Sequence, residues 1–526
     1  MIKQTIFFVL MILLTITNSA NAKSILYIPI DNRPCNLKQT VEVAEKLGYE
    51  ILTPPEEFLG TGAKPEQFGK PAELWQWLND NAAGANAAVI SSDAMLYGSL
   101  VGSRQHDLTA EEILNRAEKF AEFKKNFPYL PIYIFSTIMR TPTALGSSAE
   151  PEYYKQYGSA IFNYTLLKDK QETEKLSGKE RKEITRLENL IPQEVSADWF
   201  ARRNKNFNAN KYFVDLMKSG TFEYLLIGCD DNAKFSQTHL ESRHLQEYGK
   251  NLSVAQFQVM NGADELGILM LARAINKDLN EIPFVATEYN EGTGSETYPR
   301  FSGEKISHSI YGAIFAAGGL PIPATERADL VLAVNTNFNG ETLQVDSKKN
   351  KISQRRGTRT FMKLLNRLTE KNYPVGVVDI AFANGADNAL MNQMKEKNLQ
   401  FKIQAYGGWN TATNSSGFLI ATGVLTKFMN EHDKNFLLLT RYFDDWAYQA
   451  NIRTKINNGL IWTVPGEGNL YNLDGRREGL EKISTDLISD FAKKNFKLPA
   501  NTSLENIFVN FIWNRTFEAD VNFDYK

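Results

Sequence analysis

The residues that build most metal and redox centres are nearly missing from this chain of 526 residues, which has 2 cysteines and 5 histidines. Two cysteines and five dispersed histidines cannot make a thiolate zinc site of the usual kinds. In an oxidising compartment Cys35 and Cys229 could pair. Each follows an apolar, strand-like run, which would bring both to one sheet edge, but two buried free thiols suit the sequence equally well. An excess of one charge is also missing: 59 basic residues stand against 61 acidic ones, and no basic run exceeds a few residues. That removes the electrostatic footprint of a nucleic-acid binder. Long apolar runs are absent as well. The run Ile6–Ile16 covers about eleven residues, where a membrane-spanning helix needs roughly 20. No Gly-x-Ser-x-Gly elbow, phosphate-cradling Gly-Lys-Ser/Thr loop or dinucleotide fingerprint stands beside a suitable strand.

What is there begins with a leader pattern. Lys3, the apolar run and polar Thr17-Asn18-Ser19 lead into Ala20-Asn21-Ala22, the small-x-small pattern that a signal peptidase reads. The expectation is a signal peptide over residues 1–22, cleaved near Ala22. No Cys at the cleavage point offers a lipid anchor, so the mature chain is expected to be free of the membrane, in the periplasm or secreted.

Short apolar, β-branched runs then alternate with amphipathic stretches. Ile25–Ile30, Ala87–Ser91, Pro131–Ser136, Tyr224–Gly228, Val254–Val259, Pro283–Ala286, Leu330–Val334, Val375–Val378 and Phe401–Gln404 read as buried strands. Glu111–Phe127, Leu266–Ile275, Thr358–Leu368 and Asn388–Lys397 read as helices between them. Continuous apolar strands separated by helices mean a parallel sheet covered on both faces. The fold class is therefore α/β, as doubly wound layers or a barrel with additions, followed by a mostly helical C-terminal region. A chain this long is expected to hold more than one domain. The division read from the sequence is an α/β unit over 23–300 with a helical insertion near 150–218, a second α/β segment over 301–430, and a helical region over 431–526 packed on the site. Lys168–Glu188, almost wholly charged with Glu and Lys three and four apart, reads as an exposed helical hairpin. Asp346–Arg359 reads as a basic surface loop, and no internal repeat is visible.

The position of the polar residues is the informative feature. Strand after strand runs into acids, Asn, Arg and Gly: Asp31-Asn32-Arg33, Asp93 with Tyr97, Arg140, Asp230-Asp231-Asn232, Asp264-Glu265, Glu288-Tyr289-Asn290-Glu291, Asp379 with Asn384 and Asp387, and Trp409-Asn410. Parallel strands share one carboxyl edge, and ligands bind in the crevice beyond it. Turn geometry and helix capping draw on the same residue types. Eight such segments exceed what turning alone requires.

Six stretches carry a family resemblance: Tyr27–Pro34, Asp93–Gly98, Gly262–Glu265, Ala383–Asp387, Gly408–Ala412 and Asp444–Gln449. In this order and length the chain resembles a bacterial family catalogued as domain of unknown function 4127. The resemblance implies one functional unit from near residue 25 to near 455 and brings no activity with it.

Paired carboxylates in a polar cleft suit glycoside hydrolysis, one protonating the leaving oxygen while the other acts as base, nucleophile or orienter. Asp264 and Glu265 are the candidate catalytic pair. The Gly-x-Asp-Glu stretch is similar to that of the substrate-assisted hexosaminidases, which implies Glu as acid and Asp as orienter of an acetamido group. The plain alternative makes Asp264 a helix N-cap with Glu265 in the first turn. Asp31, Asn32, Arg33, Asp93, Tyr97, Arg140, Asp230, Asp231, Asn384, Asp387, Trp409, Asn410 and Asp445 are the candidate substrate contacts. Trp409 would offer a ring to a sugar face or pack in the core, and Asp444-Asp445 would cap the helix that follows. A metal-dependent hydrolase using Asp31, Asp93, Asp230, Asp231 and His239 is the rival within enzymes, although His239 and His244 lie five apart and do not share a helix face. The expected function is thus an exported hydrolase of carbohydrate, with amino-sugar material one candidate, needing no cofactor. A non-catalytic carbohydrate- or envelope-binding protein is the alternative. The expected partner is a small molecule or oligosaccharide, not nucleic acid.

Overall fold

The computed structural model describes residues 23–143 and 149–526; the leader pattern lies outside them. Two parallel sheets form the frame. Sheet one contains β1 (Ser24–Ile28), β2 (Glu50–Leu52), β3 (Ala87–Ser91), β4 (Ile132–Ile138), β5 (Tyr224–Cys229) and β6 (Phe257–Asn261), in the order β2-β1-β3-β4-β5-β6. Sheet two contains β7 (Phe284–Tyr289), β8 (Leu320–Pro321), β9 (Leu330–Asn335), β11 (Val375–Asp379) and β13 (Ala405–Gly407), in the order β13-β11-β9-β7-β8. A small pair, β10 (Leu343–Gln344) with β12 (Phe382–Ala383), lies beside it. Every position of β3, β4, β5, β9 and β11 is buried. That is why these strands read as unbroken apolar runs without period-two alternation.

Both sheets are open, so the fold is doubly wound layers and no barrel. They also share one winding. In each, the second strand lies on one side of the first, and the third and later strands lie on the other. No repeat in the sequence announces this. Helices Leu266–Asp278, Ile306–Ala316 and Ala412–Gly423 pack against one another and against strands of both sheets, forming a common middle layer. Its core joins Tyr27 and Val89 of sheet one to Leu269 and Ile310 of the layer and to Leu332 of sheet two. The other face of sheet one is covered by the helices Pro71–Asn81, Ala110–Asn126 and Gln193–Lys218.

The charged stretch forms a helical hairpin, Tyr154–Thr173 followed by Gly178–Leu190. Three local expectations are corrected. Phe401–Gln404 is not a strand: the ladder starts at Ala405, while the Phe401 ring packs edge-on to Tyr442. The C-terminal region holds, besides its helices, an antiparallel hairpin of β14 (Leu504–Phe511) and β15 (Ala519–Tyr525). Asp444 and Asp445 cap nothing. The helix Glu431–Arg441 runs without a break into a π-helical segment, Tyr442–Ile452, that contains both. Cys35 and Cys229 are free and buried. Among the described residues no helix is long and apolar enough to cross a membrane.

Candidate functional site at the carboxyl edge of sheet one

In the winding of sheet one, the chain leaves β1 and β3 in opposite directions, and the crevice at that reversal is where open parallel sheets take ligands. Asp31 follows β1 there and is fully buried. The Arg33 guanidinium grips it, with Nη2 donating to Asp31 Oδ2 at 2.7 Å, and reaches Asp264 Oδ1 at 2.6 Å. Asn36 Nδ2 donates to Asp31 Oδ1 at 2.7 Å. One planar cation thus ties the loop after β1 to the loop after β6. Asp93, in the short helix after β3, accepts from Thr137 N at 2.8 Å and Thr137 Oγ1 at 2.9 Å. Burial lifts its pKa to about 7, against the two Thr137 bonds and with repulsion from Asp230.

Asp230 follows β5 and pairs with Arg104 at 2.5 Å. Arg140 Nε donates to Glu150 at 2.6 Å and Nη1 to Asp231 at 3.1 Å. Asp231 adopts a positive φ of 39°, so the chain turns sharply beyond β5. Asp230 raises the pKa of both Asp93 and Asp264, which places it between the ends of β3 and β6. The acids after β1, β3, β5 and β6 therefore converge.

The candidate pair sits at the far side of this group. Asp264 is not a helix cap: its oxygens accept from Arg33 and, at 3.4 Å, from Asn410 Nδ2. Burial raises its pKa, with Arg33 pulling the other way. Glu265 has no exposed surface. Its Oε2 accepts from Asn414 Nδ2 at 2.5 Å and Ala263 N at 3.1 Å, while Oε1 has no hydrogen-bond partner. Burial, above all, pushes its pKa up to about 8, so the carboxyl is uncharged at neutral pH. It lies against Gly417 of the middle layer, where an added Cβ would come 2.5 Å from Glu265 Cγ. Gly262, where an added Cβ would strike Glu265 Oε1, and Gly417 leave the room for this slot, which has no opening to solvent.

These acids and their loops match a known family signature. The one described as protein of unknown function, DUF4127, covers residues 25–522. The chain belongs to that family. No curated protein and no solved structure matches it. The DUF4127 match takes in the middle layer and, but for Ser24 at the start of β1 and the last three residues of β15, both sheets and the C-terminal hairpin, and so every residue of the edge.

Several contributors to this DUF4127 edge were not found in the sequence. Arg104 and Glu150 carry no strand-end signal. Trp513, Arg515 and Glu518 come from the turn of the C-terminal hairpin. Trp513 Nε1 donates to Asn32 Oδ1 at 2.8 Å, and its ring centroid lies 5.0 Å from the Arg33 guanidinium carbon. The Asn32 side chain also donates to Glu56, at 3.4 Å.

Other expected residues fall elsewhere. Tyr97 is buried and stacks on His106, with ring centroids 4.7 Å apart. Trp409 belongs to the core, its ring edge-on to Phe418 and only 4% exposed, which leaves no free face for a sugar. Asp387 works at the edge of sheet two. It caps the helix Asn388–Glu396, pairs with Arg355 and accepts from Asn335 at 3.2 Å. Its neighbour Asp379 accepts from Tyr406 Oη at 2.8 Å and is lifted to about 7 by burial and then by Asp387. Asp445 pairs with Arg441 and accepts from Gly408 N at 2.7 Å. Asn384 donates its N–H to Asn410 O at 2.7 Å, and through Asn410 the two edges meet at Asp264. His239 pairs with Asp169 at 2.7 Å, away from Asp31, Asp93 and Asp230. Among the described residues no three His, Cys, Asp or Glu side chains form a group that could hold a metal ion.

Proposed function

We propose that the carboxyl edge of sheet one is the site of an exported hydrolase that cleaves glycosidic bonds, in carbohydrate that includes amino-sugar material. The observation that carries the reading is Glu265. It is uncharged at neutral pH, has one oxygen without a partner, and adjoins Asp264, which is paired with Arg33. Neighbouring carboxyls in unlike surroundings, one beside a guanidinium and one with no cation, are the starting point for separate acid and base roles. Glu265 gives its proton to the leaving oxygen as the glycosidic bond breaks, a water adds to the anomeric carbon and returns its proton to Glu265, and Asp264 with Asn410 and Asn32 orients the sugar. Because Glu265 is sealed, substrate entry requires the turn at Asn410 and the start of the helix Ala412–Gly423, which carries Asn414, to shift. Export follows from the leader pattern at residues 1–22.

The same seal favours a second reading, a carbohydrate-binding protein that uses this edge without turnover. A panel of chromogenic glycosides, N-acetylhexosaminides among them, separates the two. Turnover by the wild type, lost in Glu265→Gln with sugar affinity retained, supports the hydrolase. Saturable sugar binding with no wild-type turnover supports the binder. Activity removed by a chelator would replace both with a metal-dependent hydrolase.

A further inference from the structure

A second concavity lies away from the strand edge. A cavity of about 360 Å³ opens between the helix Lys38–Glu45, the helix Glu431–Arg441 and the outer end of the β14–β15 hairpin. That volume is within the range of small-molecule sites, roughly 300–1,000 Å³. Its charged lining is one lysine, Lys38, against three acids, Glu42, Asp520 and Asp524.

The lysine is already engaged, with Nζ 2.8 Å from Asp520 and 2.7 Å from Asn522 Oδ1. Asp524 accepts from Asn506 at 2.5 Å. The Glu42 carboxyl makes no hydrogen bond or ion pair, and Lys38 and Lys46 act on it only from longer range. Burial, opposed by Lys38, lifts it to about 7, and a cation placed beside it would favour its ionised form. The walls add the rings of Phe436 and Phe508, the latter 46% exposed. A carboxylate without a partner beside aromatic faces is the chemistry that holds an ammonium group with an apolar body. An anion would meet three carboxylates and no free cation.

We propose that this cavity is a binding site for a small organic amine, its ammonium on Glu42 and its chain against Phe508. The site stands apart from the proposed hydrolase site and does not depend on it. Its location gives it leverage nonetheless. Gln39, also in the lining, bonds Arg441 at 2.6 Å, and the hairpin whose strands form the wall carries Trp513 over Arg33.

The test titrates the mature chain by calorimetry with 1,5-diaminopentane, and in parallel with 1,5-pentanediol and glutarate as neutral and anionic counterparts. The diamine is expected to bind saturably at one site, and the diol and glutarate are not. Glu42→Gln is expected to weaken the diamine by about tenfold or more, as loss of a charged hydrogen bond does. Phe508→Ala, at an exposed ring, is expected to weaken it by a smaller factor. Far-UV circular dichroism checks that each variant is folded. Should Glu42→Gln not fold, Phe508→Ala still decides the matter. No saturable diamine binding, equal binding of diol or glutarate, or diamine binding unchanged in every folded variant overturns the proposal.

Discussion

Replacing Arg33 with Met keeps the volume of the side chain and deletes one charge, so its effect can be worked from the contacts. Arg33, Asp31 and Asp264 have side chains 7%, 0% and 9% exposed. Breaking a buried pair by removing one partner costs about 3–5 kcal/mol, because the remaining charge is left uncompensated. Here one cation serves two carboxylates, which puts Arg33→Met at the upper end, about 5 kcal/mol at pH 8. Without the cation, the burial that already raises Asp264 acts unopposed, and its folded-state pKa lies above the unfolded value of about 3.9. A group raised in this way gives its full contribution below the unfolded value and loses it as pH rises through the folded one. The deficit of Arg33→Met is therefore largest at pH 8 and shrinks toward pH 4. Urea denaturation of both proteins at several pH values measures it, and Arg33→Met with Asp264→Asn should recover part of the loss. A loss under about 1 kcal/mol at pH 8, the size of an exposed pair, would refute the reasoning. So would a deficit that grows as the solution is acidified.

Two further outcomes are expected. With Glu265 raised to about 8 in the fold, the wild type should lose stability relative to Glu265→Gln as pH rises from about 4.3 to about 8 and level off above; parallel denaturation curves that keep a constant offset would count against the buried acid. Gly417→Ala places a Cβ 2.5 Å from Glu265 Cγ and 2.8 Å from its Cβ, and overpacking of this kind costs about 1–3 kcal/mol. Wild-type stability in that variant would show that the slot has room.

The strands were legible where burial is total. β3 runs over Ala87–Ser91 as its apolar run indicated, and β5 and β9 extend theirs by one residue. Fully buried parallel strands have little besides hydrophobicity to display, and hydrophobicity is what a sequence shows. The hairpin was not legible: β14 alternates only weakly, and a bulge between Glu505 and Phe508 shifts its register. At the site, the acids after strands were visible because position in a parallel sheet dictates their neighbours. Arg104 was not, since only the tertiary fold brings a helix residue to Asp230 across 126 positions. Trp409 misled because an aromatic at a strand end is written the same way whether its ring faces a ligand or Phe418. The capping reading of Asp444 and Asp445 failed because nothing local marks a helix that continues through a widened turn.

The contact of Trp513 with Asn32 and Arg33 spans 481 residues of chain. Closing a loop of that length is among the last events that folding can reward, because its entropy is spent before the contact returns anything. Sheet one can thus be complete, hydrogen-bonded and compact while its carboxyl edge still lacks its cover. In a pulse-labelling experiment the indole of Trp513 would then be shielded later than the amides of β3 and β4. An unfinished molecule would have the scaffold of the site without the site.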